Sequence, residues 1–159
     1  MLGLTAHPVL IADNDQQLEE ARVRLARVGM EALDGYLAGG VAAWKQAGFP
    51  VALTHQITVE ELHSQLQARA VQVLDVRRQP EWDAGHIEGA TWWPLDNFKV
   101  APPEIGRDAP LAVHCKSGYR SIIASSLLER AGFRHVLNVA GGFDAWQQAK
   151  LPVVTAITA

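Results

Sequence analysis

The stretch PLAVHCKSGYRSIIASSLLERAGF, residues 110–133, decides the fold. Leu111–His114 reads as an apolar strand without polar alternation, the pattern of a strand covered on both faces of its sheet. A short loop follows. From about Gly118 to Ala131 the pattern turns helical, with Ile123, Leu127, Leu128 and Ala131 on its apolar face and Gly132 as its C-terminal cap. Downstream, Val136–Val139 reads as a strand, Gly141–Gly142 as a tight turn and Phe143–Gln148 as a last helix. Upstream, Ile57–Thr58 leads into a helix over Glu60–Leu66 with Thr58 as its N-cap. Val71–Val76 is a continuous apolar strand. Pro80–Ala84 is a short helix ended by Gly85, and Ala90–Trp93 is another strand. This alternation predicts an α/β unit: a mostly parallel five-stranded sheet with helices on both faces.

The unit is preceded by an incomplete copy of itself. Residues 39–51 read GGVAAWKQAGFPV, and residues 141–153 read GGFDAWQQAKLPV. Upstream, LARVG (25–29) matches LERAG (128–132) with one residue of slippage, and PVLIAD (8–13) lies over PLAVHC (110–115). Self-similarity at a fixed offset marks a repeated structural unit. The first copy has counterparts only for the last part of the second. The expected organisation is an incomplete, catalytically inactive half domain over 1–52 and a complete domain over 53–159. The short linker, Val51 to Gln56, places the two near one another.

Composition narrows the function. Of 159 residues, 48% are hydrophobic and 19% charged, which is ordinary globular usage. The net charge of −3 supplies no basic field for nucleic acid or an anionic membrane. No apolar run is long enough to cross a bilayer, and the start lacks the basic region of a signal peptide. One cysteine excludes an internal disulfide and a multi-cysteine metal site, and it fits a reducing cytoplasm. The six histidines show no zinc-enzyme spacing.

That cysteine is Cys115, in HCKSGYRS (114–121), between the buried strand and the helix. Ligands of open α/β sheets bind beyond the carboxyl ends of the strands. A loop from Cys115 to Arg120 can curl its backbone N–H groups toward the sulfur. Gly118 permits the necessary backbone turn, and the helix adds its positive N-terminal end. Lys116 and Arg120 add positive charge. All of this favours thiolate and anion binding, which suits a cysteine nucleophile. A lone cysteine is more often a buried structural residue. Glycine at plus three and arginine at plus five favour the reactive reading here.

On two stretches the chain resembles the rhodanese family. VLDVRRQPEWDAGHIEGA (73–90) is similar to the family's D-x-R…E-[FYW]-x-x-G-H-I-x-G-A signature, and HCKSGYRS to its C-x-x-G-x-R loop. The Gly-Gly-Phe-x-x-Trp ending at 141–146 also matches. The resemblance implies a sulfurtransferase in which Cys115 takes a sulfane sulfur from a donor such as thiosulfate or a persulfide. Cys115 then passes that sulfur from a persulfide to a thiol or cyanide. Lys116, Ser117, Gly118, Tyr119 and Arg120 are the implied substrate cradle, with Tyr119 shaping its mouth. Asp75 and Arg77, at a strand end, line or brace the pocket. His86 reads as a turn histidine bonded to backbone rather than a base, and Trp82, Trp92 and Trp93 as packing residues. In the first copy Asp13 stands where Cys115 stands, and the acidic stretch Asn14 to Glu20 lacks the glycine and arginine. A dead unit before a live one resembles the C-terminal region of bacterial fusions that carry a metallo-β-lactamase-like persulfide dioxygenase.

Two other classes compete. Cysteine phosphatases and arsenate reductases also use Cys and Arg in one loop, but phosphatases place five residues between them, whereas four separate Cys115 from Arg120. A non-enzymatic persulfide carrier or regulatory module needs the same loop and differs only in turnover. The half domain cannot bury its apolar residues alone and leaves an open sheet edge. A homodimer through the N-terminal half is therefore expected, with the Cys115 site open to solvent.

Overall fold

The computed structural model describes residues 7–99 and 105–155, so the opening residues of the N-terminal half lie outside it. The chain divides into two compact units, Met1–Ala52 and Leu53–Ala159.

In the second unit the strands are β3 (His55–Ile57), β4 (Gln72–Asp75), β5 (Thr91–Trp92), β6 (Leu111–His114) and β7 (Val136–Val139). They form one sheet in the order β3-β7-β6-β4-β5, with every neighbouring pair parallel. The apolar run that decided the fold is the central strand, buried along its whole length. Side chains of a strand alternate between faces, and two cores result. Ala112 joins Val73, Val139, Phe143 and Trp146 in one. Leu111, Val113 and Cys115 join Leu74, Ala124 and Leu128 in the other. The helices α3 (Val59–Gln67) and α6 (Gly142–Gln148) cover the first face, and α5 (Tyr119–Arg130) covers the second. This is the expected α/β architecture.

Local sequence explains the helix starts. Thr58 caps α3 through a reciprocal capping box: the Glu61 N–H donates to Thr58 Oγ1 at 3.2 Å, and the Thr58 N–H donates to Glu61 Oε2 at 2.8 Å. The short helix α4 (Gln79–Asp83) carries Pro80 in its first turn.

The buried face of α5 differs from the expected one. Ser121, Ala124, Ser125 and Leu128 face the sheet, while Ile123 is 42% exposed. Small residues let the helix lie close to the strands. The phase of the helix is set at its start, where Ser121 meets Cys115, and the largest apolar side chains follow from that.

The first unit contains β1 (Val9–Leu10), α1 (Asp15–Ala26), β2 (Gly35–Tyr36) and α2 (Gly40–Gln46), with β1 and β2 parallel. Asn14 caps α1 by accepting from the Gln17 N–H at 2.9 Å. No residue of α1 is buried.

Candidate active site

Cys115 directly follows the last residue of β6, and α5 begins four residues later at Tyr119. The intervening loop is shaped by α6. Its Phe143 N–H donates to the Cys115 carbonyl at 2.8 Å, and its Asp144 N–H to the Lys116 carbonyl at 2.9 Å. Each peptide plane carries its N–H opposite its carbonyl. Drawing the carbonyls toward α6 therefore turns the loop's amides the other way, toward the sulfur. Only glycine allows this approach: a Cβ on Gly142 would lie 2.5 Å from the Cys115 oxygen and 2.7 Å from the Lys116 oxygen. Gly118, with φ +103°, closes the loop in a conformation that side chains rarely adopt.

The Gly118 N–H donates to Cys115 Sγ at 3.2 Å. Ser121 Oγ lies 3.6 Å from the sulfur and donates to the Gly118 carbonyl at 2.9 Å. Burial alone would push the thiol up. The Ser121 hydroxyl, then the backbone N–H groups of Ser121, Gly118 and Ser117, outweigh it and hold Cys115 below the ordinary thiol value. Ser121 was absent from the expected site residues. Its position in the first turn after the loop was the available signal.

Of the expected cradle, Lys116, Ser117 and Tyr119 are exposed and Gly118 is partly buried, so these line the outer side of the loop. Tyr119 is 80% exposed. The expectation of a solvent-open thiol is corrected: Cys115 is 1% exposed, because its side chain points into the core under α5. Arg120 is held in an ion pair. Its two terminal nitrogens each reach one oxygen of Glu81, both at 2.7 Å. This pairing holds Glu81 down to about 2, and it raises Arg120 above the ordinary guanidinium value.

Asp75 and Arg77 brace the site from below rather than lining it. Arg77 forks onto Asp75 through Nε and a terminal nitrogen, at 2.6–3.0 Å, and donates to the Gly85 carbonyl at 2.7 Å. Its guanidinium lies 3.8 Å from the centre of the Phe143 ring. His114 is fully buried between this pair and the loop, with Nδ1 3.4 Å from the Cys115 carbonyl and Nε2 3.5 Å from Asp75 Oδ2. Burial, opposed by the Asp75 carboxylate, holds His114 below its ordinary value, so it sits there uncharged. His86 keeps its turn role, with Nδ1 3.1 Å from the Trp82 carbonyl and its ring stacked on Trp82. Trp92 donates to the Arg77 carbonyl, and Trp93 packs on the α5 side of the sheet. Among the described residues no cluster of His, Cys, Asp or Glu is arranged to hold a metal ion, and no helix is long and apolar enough to cross a membrane.

The first unit repeats the β-α-β-α order of the last part of the second, without the segment that follows Cys115. Its helix begins at Asp15, two residues after Asp13, which leaves no segment to curl around a bound atom.

Comparison with known proteins agrees with the fold. The rhodanese-like domain family matches residues 58–149. The chain is 37% identical over 78 residues to the uncharacterized protein YqhL of Bacillus subtilis, covering 49% of this chain and 62% of that protein. It is 32% identical over 103 residues to a sulfurtransferase of Allochromatium vinosum, covering 64% of this chain and 96% of that one. The crystal structure of a rhodanese-related protein from Thermoplasma volcanium superposes with a TM-score of 0.59 at 29% identity, covering 64% of this chain and 99% of that chain.

Proposed function

Because the chain belongs to the rhodanese-like domain family, we propose that it is a sulfurtransferase whose Cys115 carries sulfur as a persulfide. The supporting observation is the loop backbone turned toward the sulfur, with the Gly118 N–H donating to Cys115 Sγ at 3.2 Å. Donors so placed stabilise a thiolate before the reaction and a persulfide anion after it. Thiolate Sγ attacks the sulfane sulfur of thiosulfate, S–SO₃²⁻. The S–S bond of the donor breaks, sulfite leaves with the electron pair, and Cys–S–S⁻ remains. A thiol or cyanide acceptor then attacks the outer sulfur and restores the thiolate. No metal or organic cofactor takes part. A single free thiol at this site suits a reducing compartment such as the cytoplasm.

Treating the full chain with thiosulfate and recording its mass tests this directly. The expected result is one added sulfur atom, about 32 Da, on Cys115. Absence of that adduct at saturating donor overturns the reading. A persulfide that forms but is not passed on to cyanide or a thiol in a turnover assay would instead indicate a carrier module. The phosphatase reading is disfavoured by the four-residue spacing and by the engagement of Arg120 with Glu81.

The N-terminal unit is, on this proposal, an inactive partial copy that belongs to a longer fusion with a persulfide dioxygenase-like domain. It carries a homodimer contact through its exposed apolar residues. A monomer in light scattering at micromolar concentration would refute the dimer.

A further inference from the structure

The loop that holds Cys115 brings two cations to its outer side, Lys116 and Arg120, and the protein spends one of them. Glu81 Oε2 and Oε1 each accept from a terminal nitrogen of Arg120 at 2.7 Å, a fork-on-fork pair joining α4 to the first turn of α5. Glu81 is itself fixed, because its Oε2 also accepts the Arg78 N–H at 3.1 Å in the capping box of α4. The carboxylate is therefore anchored by its own helix, and Arg120 is drawn to it. The two side chains are 27% and 29% exposed, so they sit at the rim rather than in bulk water. A donor approaching Cys115 meets an arginine whose charge is already balanced, beside a thiolate that repels further negative charge.

We propose that Glu81 sets the charge preference of the sulfur donor at Cys115: by occupying Arg120 it favours neutral or singly charged sulfane-sulfur donors, such as organic persulfides and thiosulfonates, over the doubly charged thiosulfate. This rests on the sulfurtransferase reading of Cys115. Glu81 acts through Arg120 and is a positioning residue.

Thiosulfate and methanethiosulfonate separate the charge effect from the chemistry. With CH₃SO₂–S⁻ the thiolate again takes the outer sulfur, the S–S bond breaks, and methanesulfinate, CH₃SO₂⁻, leaves with the electron pair. The two donors differ by one unit of charge and almost nothing in shape. The rate of sulfur loading onto Cys115 is measured with each donor in the wild-type chain, Glu81→Gln and Glu81→Asp. The expected result is a rise of about tenfold in the thiosulfate-to-methanethiosulfonate ratio in Glu81→Gln, carried by KM rather than by the maximal rate, since the variant leaves one cation of the loop uncompensated. Glu81→Asp, which keeps the charge, holds a ratio near that of wild type. An unchanged ratio in a Glu81→Gln protein that loads both donors overturns the proposal. Salt supplies a second arm. Lys116 is the loop's other cation in both proteins, so the ratio falls with ionic strength more steeply in Glu81→Gln than in wild type, and equal salt dependence of the two overturns the proposal as well. If wild-type Cys115 accepts sulfur from neither donor, the sulfurtransferase reading fails, and this inference fails with it.

Discussion

Trp44 and Trp146 stand at the same place in their two units and make the same hydrogen bond. The indole N–H of Trp44 donates to the Pro50 carbonyl at 2.9 Å, and that of Trp146 to the Pro152 carbonyl at 2.8 Å. Yet Trp44 is 39% exposed and Trp146 only 1%. The strand residues behave alike: Val9 and Ile11 are 60% and 62% exposed, whereas their counterparts Leu111 and Val113 are fully buried. The residue types are nearly the same, so local propensity is not the difference. In the second unit α3 and β4 complete the core around α6, with Leu62 and Val73 in one cluster with Trp146 and the His63 ring edge-on to its indole. Among the described residues the first unit contains the β1-α1-β2-α2 set and no counterparts of those elements. A β-α-β-α piece of this repeat can form its hydrogen bonds without forming a core.

The sharpest way to break the comparison is to exchange the residues at the strand ends. Cys115→Ser abolishes sulfur loading, and Asp13→Cys in that background does not restore it, because a thiol at position 13 has no loop to cradle it. Mass spectrometry of both proteins after thiosulfate treatment reads the outcome, and a loaded Cys at position 13 would show that the two loops are equivalent after all.

Next in size is the pair of tryptophans. Trp146→Ala leaves a large cavity in a closed core and lowers unfolding stability by about 3–5 kcal/mol. Trp44→Ala, at an open surface, costs less than about 1 kcal/mol. Urea unfolding followed by circular dichroism measures both, and equal losses would mean that the first unit has a core of its own in solution.

A smaller effect is expected at Ser121, which has no counterpart in the first unit. Ser121→Ala removes a side-chain hydrogen bond that helps hold the Cys115 thiol low, and a hydrogen bond worth about 1.4 kcal/mol corresponds to about a tenfold change in an equilibrium. The raised pKa reduces the thiolate fraction at every pH below it, so alkylation by iodoacetamide near neutrality slows by about tenfold. Well above both pKa values the two rates converge. A pH profile that coincides with wild type would remove Ser121 from the site.

The smallest effect is expected from removing residues 1–52 altogether. The remaining unit keeps both cores and the whole Cys115 loop, so its loading rate stays within about twofold of the full chain. Loss of activity would show that the boundary near residue 53 divides one functional body.

Much of this was legible in the chain itself. The strand Leu111–His114, the helix after Gly118, the Thr58 cap and the place of Cys115 between strand and helix follow from short-range pattern, because a strand, a turn and a helix start are each determined within a few residues. The self-similarity of 39–51 and 141–153 was likewise visible by inspection. Tertiary structure decided the rest. Arg120 faces Glu81, 39 positions earlier in the chain, and not the sulfur. Ser121 and not Ile123 faces the sheet, because the loop dictates the phase of α5. Cys115 is buried and not open, because α5 lies over it. In each case the deciding partner is remote in sequence, and composition and periodicity carry no record of which remote groups will meet.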